Sequence, residues 1–182
     1  MTALLRDAVA SDHDAIVALN ADEVEHTSAM DGARLRELAA LARHRRVALV
    51  DGEVAAFLLA MPDHVDYRND NYAWFSARYE RFAYVDRVVV GARWQGAGIG
   101  SLLYRDLFAW VRAHGIPAVA CEFNLVPPNE PSRAFHARHG FVEVGRQWLG
   151  AKQVSMQLAA LDGRYGTGID ASSTTIAGTL HG

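Results

Sequence analysis

The 182-residue chain contains a single cysteine, Cys121. One thiol cannot close an intramolecular disulfide, so a packed core must hold the fold. No apolar run approaches the roughly 20 residues of a membrane-spanning helix; the longest is VAAFLLAMP. The N-terminal stretch MTALLRDAVASDHD also lacks the apolar centre of a signal peptide. Neither sign of charge is in surplus: 18 Lys and Arg stand against 21 Asp and Glu, well mixed, for a net charge of −3. That balance leaves no electrostatic footprint for nucleic acid. The expectation is a cytoplasmic protein with no membrane or nucleic-acid partner. What the chain does have is apolar residues, 51% of the total, enough for one domain with a real core.

TALLRDAV reads as an opening strand. Ser11 and Asp14 have the spacing of a capping box ahead of Ile16, Leu19 and Val24, which starts a helix near Asp12. Leu35, Leu38 and Leu41 recur at helical spacing behind a cap at Asp31. RRVALV and EVAAFLLAM, joined by Asp51-Gly52, form a hairpin. The polar, aromatic-studded segment 62–82 is too long for a bare loop, and a short helix near Tyr72 to Arg78 is expected in it. FAYVDRVVV is a strand, IGSLLYRDLFAWVRAHG a helix with Leu103, Leu107, Trp110 and Val111 inward, and PAVACEF a strand, which together make a βαβ unit. The helix SRAFHARHG and a last hairpin, FVEVGRQWL with KQVSMQLA, complete the order βααβββαβαββ. Residues 1–160 form one domain and 161–182 a C-terminal extension rich in Gly, Ser and Thr. Within it, STTIAGTL has the β-branched character of a strand that adds to a sheet edge, in its own subunit or in a homodimer.

Chemistry concentrates in RWQGAGIGSLLYRDL, residues 93–107, where Gly96, Gly98 and Gly100 lie between a strong strand and a strong helix. In such a turn successive N–H groups point outward and the helix dipole adds positive charge, so an anion, typically phosphate, is the natural guest. A P-loop would close on Lys-Ser/Thr, but Ser101-Leu102 follows Gly100. A dinucleotide fingerprint fits better, at Gly96, Gly98 and Glu122, although its third glycine position is Ser101 and no second run of βαβ units follows. A dinucleotide-binding oxidoreductase therefore stands as an alternative.

Two motifs together resemble the GNAT superfamily of N-acyltransferases. Gln95-Gly96-Ala97-Gly98-Ile99-Gly100 is similar to its acyl-coenzyme A loop, and NEPSRAFHARHGF to its second motif at Asn129, Ser132, Phe135, Gly140 and Phe141. The resemblance spans residues 4–159 and implies an α/β (α+β) fold: a mixed, mostly antiparallel sheet flanked by helices and splayed between the fourth and fifth strands. It implies acetyl-coenzyme A, or another acyl-coenzyme A, as co-substrate, and direct attack by an amine in a ternary complex. Val88, Val89 and Val90 would pair with the pantetheine amides. Backbone N–H groups of Gln95, Gly96, Ala97, Gly98, Ile99, Gly100 and Ser101 would take the pyrophosphate, and Asn129, Ser132, Phe135 and His136 would lie along the coenzyme. His136 departs from the family's tyrosine near the coenzyme sulfur, and as an imidazolium it could protonate the departing thiolate.

Attack on a thioester needs a neutral nitrogen, hence a base. Asp86, just before the proposed bulge of the fourth strand, and Glu122, at the end of its partner, are the candidates; each could equally be an ion-pair member, Asp86 with Arg87. His136 and His139 lack a third ligand at metal spacing, so no metal is expected, and Cys121 is a core residue. A small-molecule or peptide amine is the expected acceptor. Glu23, Glu25, His26, Asp31, Tyr72, Trp74, Phe75 and Trp148 could receive it, since carboxylates and ring faces suit a cation, or the aromatics could simply pack over the long loop. The competing class is an acyl-coenzyme A sensor or scaffold without turnover.

Overall fold

A computed structural model of the chain describes residues 2–24, 27–162 and 165. Its elements are β1 (Ala3–Asp7), α1 (His13–Asp22), α2 (Gly32–Leu41), β2 (His44–Val50), β3 (Glu53–Pro62), α3 (Asp70–Ser76), β4 (Ala83–Val90), α4 (Ile99–Ala113), β5 (Ala118–Val126), α5 (Glu130–Arg138), β6 (Val142–Leu149) and β7 (Lys152–Ala160). The seven strands form one sheet in the order β1-β2-β3-β4-β5-β7-β6, antiparallel throughout except between β4 and β5. The expected succession holds, with α3 added between β3 and β4 two residues ahead of its predicted start.

Local chemistry explains most boundaries. Asp31 caps α2 by accepting the Arg34 N–H at 2.7 Å, and Asn69 caps α3 by accepting the Tyr72 N–H at 2.9 Å. The β2–β3 hairpin turns on Asp51 and Gly52, both at positive φ (51° and 85°). The start of α1 differs from the expected Ser11–Asp14 box. Asp12 organises it instead, accepting the Val9 N–H at 2.8 Å and two bonds from the Arg6 guanidinium at 2.6 and 2.8 Å.

β3 is buried without interruption from Ala55 to Met61, so both faces of the sheet's centre are covered, and α1, α2 and α4 all pack on this strand. α4 turns Leu103, Leu107 and Val111 inward, while Trp110, expected with them, is only half-buried and packs on His44 with ring centroids 5.1 Å apart.

Two irregularities shape the rest. In the β3–β4 ladder Leu59 pairs with Arg87 and Ala60 with Val85, which leaves Asp86 as the extra residue of a bulge. The parallel β4–β5 ladder has only two rungs, Ala83 with Val119 and Tyr84 with Ala120. Beyond them the strands part. β6 is also bulged at Val144, and Trp74 of α3 lies against Gly145, where a Cβ would stand 2.5 Å from the indole. Gly145→Val should therefore lower stability by about 1–3 kcal/mol through overpacking, seen as a reduced urea midpoint; an unchanged midpoint would contradict this contact.

Candidate active site

Where β4 and β5 part, a cavity of about 670 Å³ opens. Val88, Val89, Val90, Gln95, Gly100, Asn129, Ser132, Phe135 and His136 line it, as do Asp86 and Glu122. Past Tyr84 and Ala120 the facing edges of the two strands have no ladder partner in each other, so backbone donors and acceptors are left for an extended, amide-bearing arm.

The glycine loop borders the cavity through Gln95 and Gly100. Gly96 and Gly98 adopt φ of 78° and 80°, which side-chain-bearing residues disfavour, and a Cβ at Gly98 would meet no protein atom. The N–H groups of Gln95 and Ala97 donate to the carbonyls of Ala92 and Trp94, both at 3.3 Å. This corrects the expectation for two of the anion-binding amides. Among the described residues the N–H groups of Gly96 and Gly98 have no backbone partner, and Ile99, Gly100 and Ser101 are first-turn amides with no acceptor inside the helix. The Gln95 side chain ties the loop down, donating to the Val90 carbonyl at 3.1 Å and Glu23 Oε1 at 2.9 Å. Gly100 serves packing: a Cβ there would stand 3.1 Å from the Phe135 ring. Ser101 Oγ lies 3.1 Å from His139 Nε2.

Glu122 sits in the cavity on β5. It accepts hydrogen bonds from the Tyr84 hydroxyl at 2.8 and 3.0 Å and from Asn71 Nδ2 at 2.9 Å, while Gln147 Nε2 donates to Asn71 Oδ1 at 3.1 Å. Burial is the main cause that raises its carboxyl from the ordinary 4.5 to about 7; the Tyr84 and Asn71 bonds oppose the rise and nearby Asp86 adds to it. A carboxyl so placed exchanges a proton near neutral pH.

Asp86 occupies the same cavity but is committed elsewhere. Arg87 Nε donates to its Oδ2 at 2.7 Å and the Tyr67 hydroxyl to its Oδ1, and both charged side chains are 3–4% exposed. Arg87 also donates to Asn20 Oδ1 at 2.8 Å, Ser28 Oγ at 3.0 Å and the Ser28 carbonyl at 3.2 Å. Of the two roles left open for Asp86, the ion pair is the one the geometry displays.

His136 requires a correction. It is buried, its Nδ1 lies 2.7 Å from the Ser132 carbonyl, and its Nε2 lies 2.9 Å from the Tyr104 hydroxyl. The carbonyl can only accept, so Nδ1 carries the proton and Nε2 accepts from Tyr104. Burial lowers its pKa to about 4. At neutral pH this is a neutral imidazole with both nitrogens engaged, not the imidazolium donor expected. Ser132 Oγ, 3.2 Å from Nδ1, meets a donor there, which leaves its own hydroxyl hydrogen free for the cavity it lines.

The aromatic acceptor wall is also redrawn. Tyr72 and Phe75 are core residues packed on Phe82 and Tyr84. Trp74 carries Arg78 over its ring at 4.0 Å, and Trp148 is 60% exposed. Glu23 lines the cavity and Asp31 is the α2 cap. Glu25, His26 and most of the extension, 163–164 and 166–182, lie outside the described residues. Residues that sequence reasoning missed, Tyr84, Asn71 and Tyr104, act through partners 38, 51 and 32 positions away, for which the chain offers no local signal. Among the described residues no group of three or more His, Cys, Asp or Glu could hold a metal, and no helix is long and apolar enough to cross a membrane.

The Acetyltransferase (GNAT) family profile matches residues 13–141. No curated protein matches the chain in sequence. Solved structures do match in fold. Ard1 from Thermoplasma volcanium superposes with a TM-score of 0.72 at 15% identity, covering 88% of this chain and 98% of that one. Ribosomal-protein-alanine N-acetyltransferase from Brucella melitensis gives 0.66 at 23%, covering 87% and 99%. A chain of the NatC complex, solved with Gag peptide and CoA, gives 0.70 at 12%, covering 89% and 100%.

Glu122 makes a stability prediction. Its folded pKa lies above its unfolded one, so the neutral carboxyl stabilises the fold below pH 4.5 and that contribution is lost as pH rises through about 7. Relative to Glu122→Gln, the protein should lose on the order of 3 kcal/mol across that window. Denaturation of both forms at a series of pH values measures it, and a flat difference would contradict the placement of Glu122.

Proposed function

This chain belongs to the GNAT acetyltransferase family, and from that premise we propose that it moves an acetyl group from acetyl-coenzyme A to an amine by direct attack within the β4–β5 cleft. One observation carries the proposal: the strands part so that the near-neutral carboxyl of Glu122, the unpaired edge of β4 at Val88 to Val90, and Gly100 in the first turn of α4 all line one continuous cavity. A peptide or protein amine is the favoured acceptor, in keeping with the names of the neighbours in fold.

In this reading the amides of Gly96, Gly98, Ile99, Gly100 and Ser101 hold the pyrophosphate, and the free edge of β4 at Val88 to Val90 pairs with the pantetheine arm. The coenzyme supplies the thioester carbonyl. Glu122, held by Tyr84 and Asn71, takes the proton from the arriving ammonium, directly or through one water, and the neutral nitrogen attacks. Asp86 fixes the bulge from behind through Arg87 and is a positioning residue. The leaving thiolate takes its proton from solvent, and the Ser132 hydroxyl, with its hydrogen free, would be the donor available to hydrogen-bond the sulfur; a thiol pKa of about 8.5 makes it a tolerable leaving group.

Thiol release from acetyl-coenzyme A with a panel of peptide and small amines tests the reading. Coenzyme binding without release for any amine would favour a sensor or scaffold instead. Gly98→Val should weaken coenzyme affinity at least about tenfold in a folded protein, because it strains a left-handed turn and covers the anion site. Glu122→Gln should lower kcat roughly 10²-fold with little change in KM for acetyl-coenzyme A, and remove the acid limb near pH 7 from the rate profile.

A further inference from the structure

Lys152 is the only lysine in the chain; the other 17 of its 18 Lys and Arg residues are arginines, which stay protonated and are not nucleophiles. The protein thus has a single side-chain amine, and it lies on the acyl-transfer cavity. Lys152 is the first residue of β7, just after the β6–β7 turn, and it lines that cavity. The register gives its orientation. Met156 pairs with Glu122 and Val154 with Asn124, so alternation places Lys152 on the same face of the sheet as both. Glu122, Asn124, Val154 and Lys152 accordingly all border the cavity. Two residues of β7, about 7 Å, separate Lys152 from the level of Asn124, and its four-carbon arm spans about 6 Å. Folded back along the strand, Nζ comes to about the level of Asn124, one strand pair short of Glu122 and on the same side of the cavity. Nothing restrains it: the side chain is exposed, with no hydrogen bond or ion pair among the described residues.

We propose that Lys152 is itself an acyl acceptor, so that in the absence of an external amine the protein acetylates its own Lys152 Nζ from acetyl-coenzyme A. The inference rests on the acyl-transfer reading of the same cavity. The ammonium first gives one proton to water in the cavity, which can pass it on to Glu122. The Nζ lone pair then attacks the thioester carbonyl carbon; the N–C bond forms, the C–S bond breaks, and the nitrogen loses a second proton while the thiolate takes one. The products are N-acetyl-lysine, coenzyme A thiol and one proton. The modified arm is neutral and longer, and it stands at the mouth through which an external acceptor passes.

The full-length protein is incubated with acetyl-coenzyme A without added amine and followed by intact mass and peptide mapping, beside thiol release with the amine panel on the same preparation. The expected result is a gain approaching one acetyl group per chain, mapped to Lys152, absent in Lys152→Arg, suppressed by excess coenzyme A, and slowed at least about tenfold in Glu122→Gln. A gain on the N-terminal amine alone, or one at Lys152 indifferent to competing coenzyme A, is chemical acetylation and overturns the proposal. Thiol release with external amines but no gain at Lys152 overturns it and leaves the acyl-transfer reading standing. Absence of both coenzyme binding and thiol release overturns the two together.

Discussion

The paired charges of Asp86 and Arg87 sit at the point where the sheet changes character. In a regular strand these neighbours would point to opposite faces. The β4 bulge lets them meet at 2.7 Å, and the guanidinium then reaches Asn20 of α1 and Ser28 of the α1–α2 connection, while Tyr67 closes the other side of the carboxylate. Burying such a pair is expensive, and only near-complete satisfaction of its donors and acceptors makes it tolerable. α1, the α1–α2 connection and the segment carrying Tyr67 are thereby held in register around the bulge, the first two also joined by the bond from Asn20 Nδ2 to the Ser28 carbonyl at 3.0 Å. The bulge lies immediately beyond the last β4–β5 rung, at Tyr84, where the two strands begin to diverge.

Burial acts in opposite directions on two titratable groups that line the cleft. It raises Glu122 to about 7 and lowers His136 to about 4. Both shifts favour the uncharged form, as expected where water is largely excluded. The results are nonetheless unequal. Glu122 remains poised to exchange a proton near neutrality, whereas His136, with Tyr104 on one nitrogen and Ser132 on the other, is fixed in a single tautomer. One is left able to titrate near neutrality and the other is a strut between α4 and α5.

Features governed by near neighbours were legible in the sequence: the Asp31 cap, the Asp51-Gly52 hairpin, the glycine turn before α4 and the succession of elements. The two motifs place Gln95, Gly100, Asn129, Ser132, Phe135 and His136 on the cleft, while Asn69, Asn71, Tyr104 and Asn124 reach it from segments without a motif. What could not be read was the pairing that gives those residues their state. The pKa of Glu122 depends on Tyr84 and Asn71, and the tautomer of His136 on Tyr104, none of them adjacent in the chain. Tyr72 and Phe75 misled for a related reason: they stand in a polar segment that resembles an exposed loop, yet α3 folds them onto Phe82 and Tyr84 in the core.

A sheet joined across its middle by two rungs behaves like a pair of tongs. The fulcrum is the contact of Ala83 and Tyr84 with Val119 and Ala120, and the jaws are the outer halves of β4 and β5. Glu122 sits only two residues past the fulcrum and is tied across it to Tyr84. A small change in the angle between the jaws displaces the Val90 and Val126 tips most and Glu122 least. Aperture and chemistry are thus mechanically separated: the mouth can be graded to the girth of what enters while the carboxyl keeps its place.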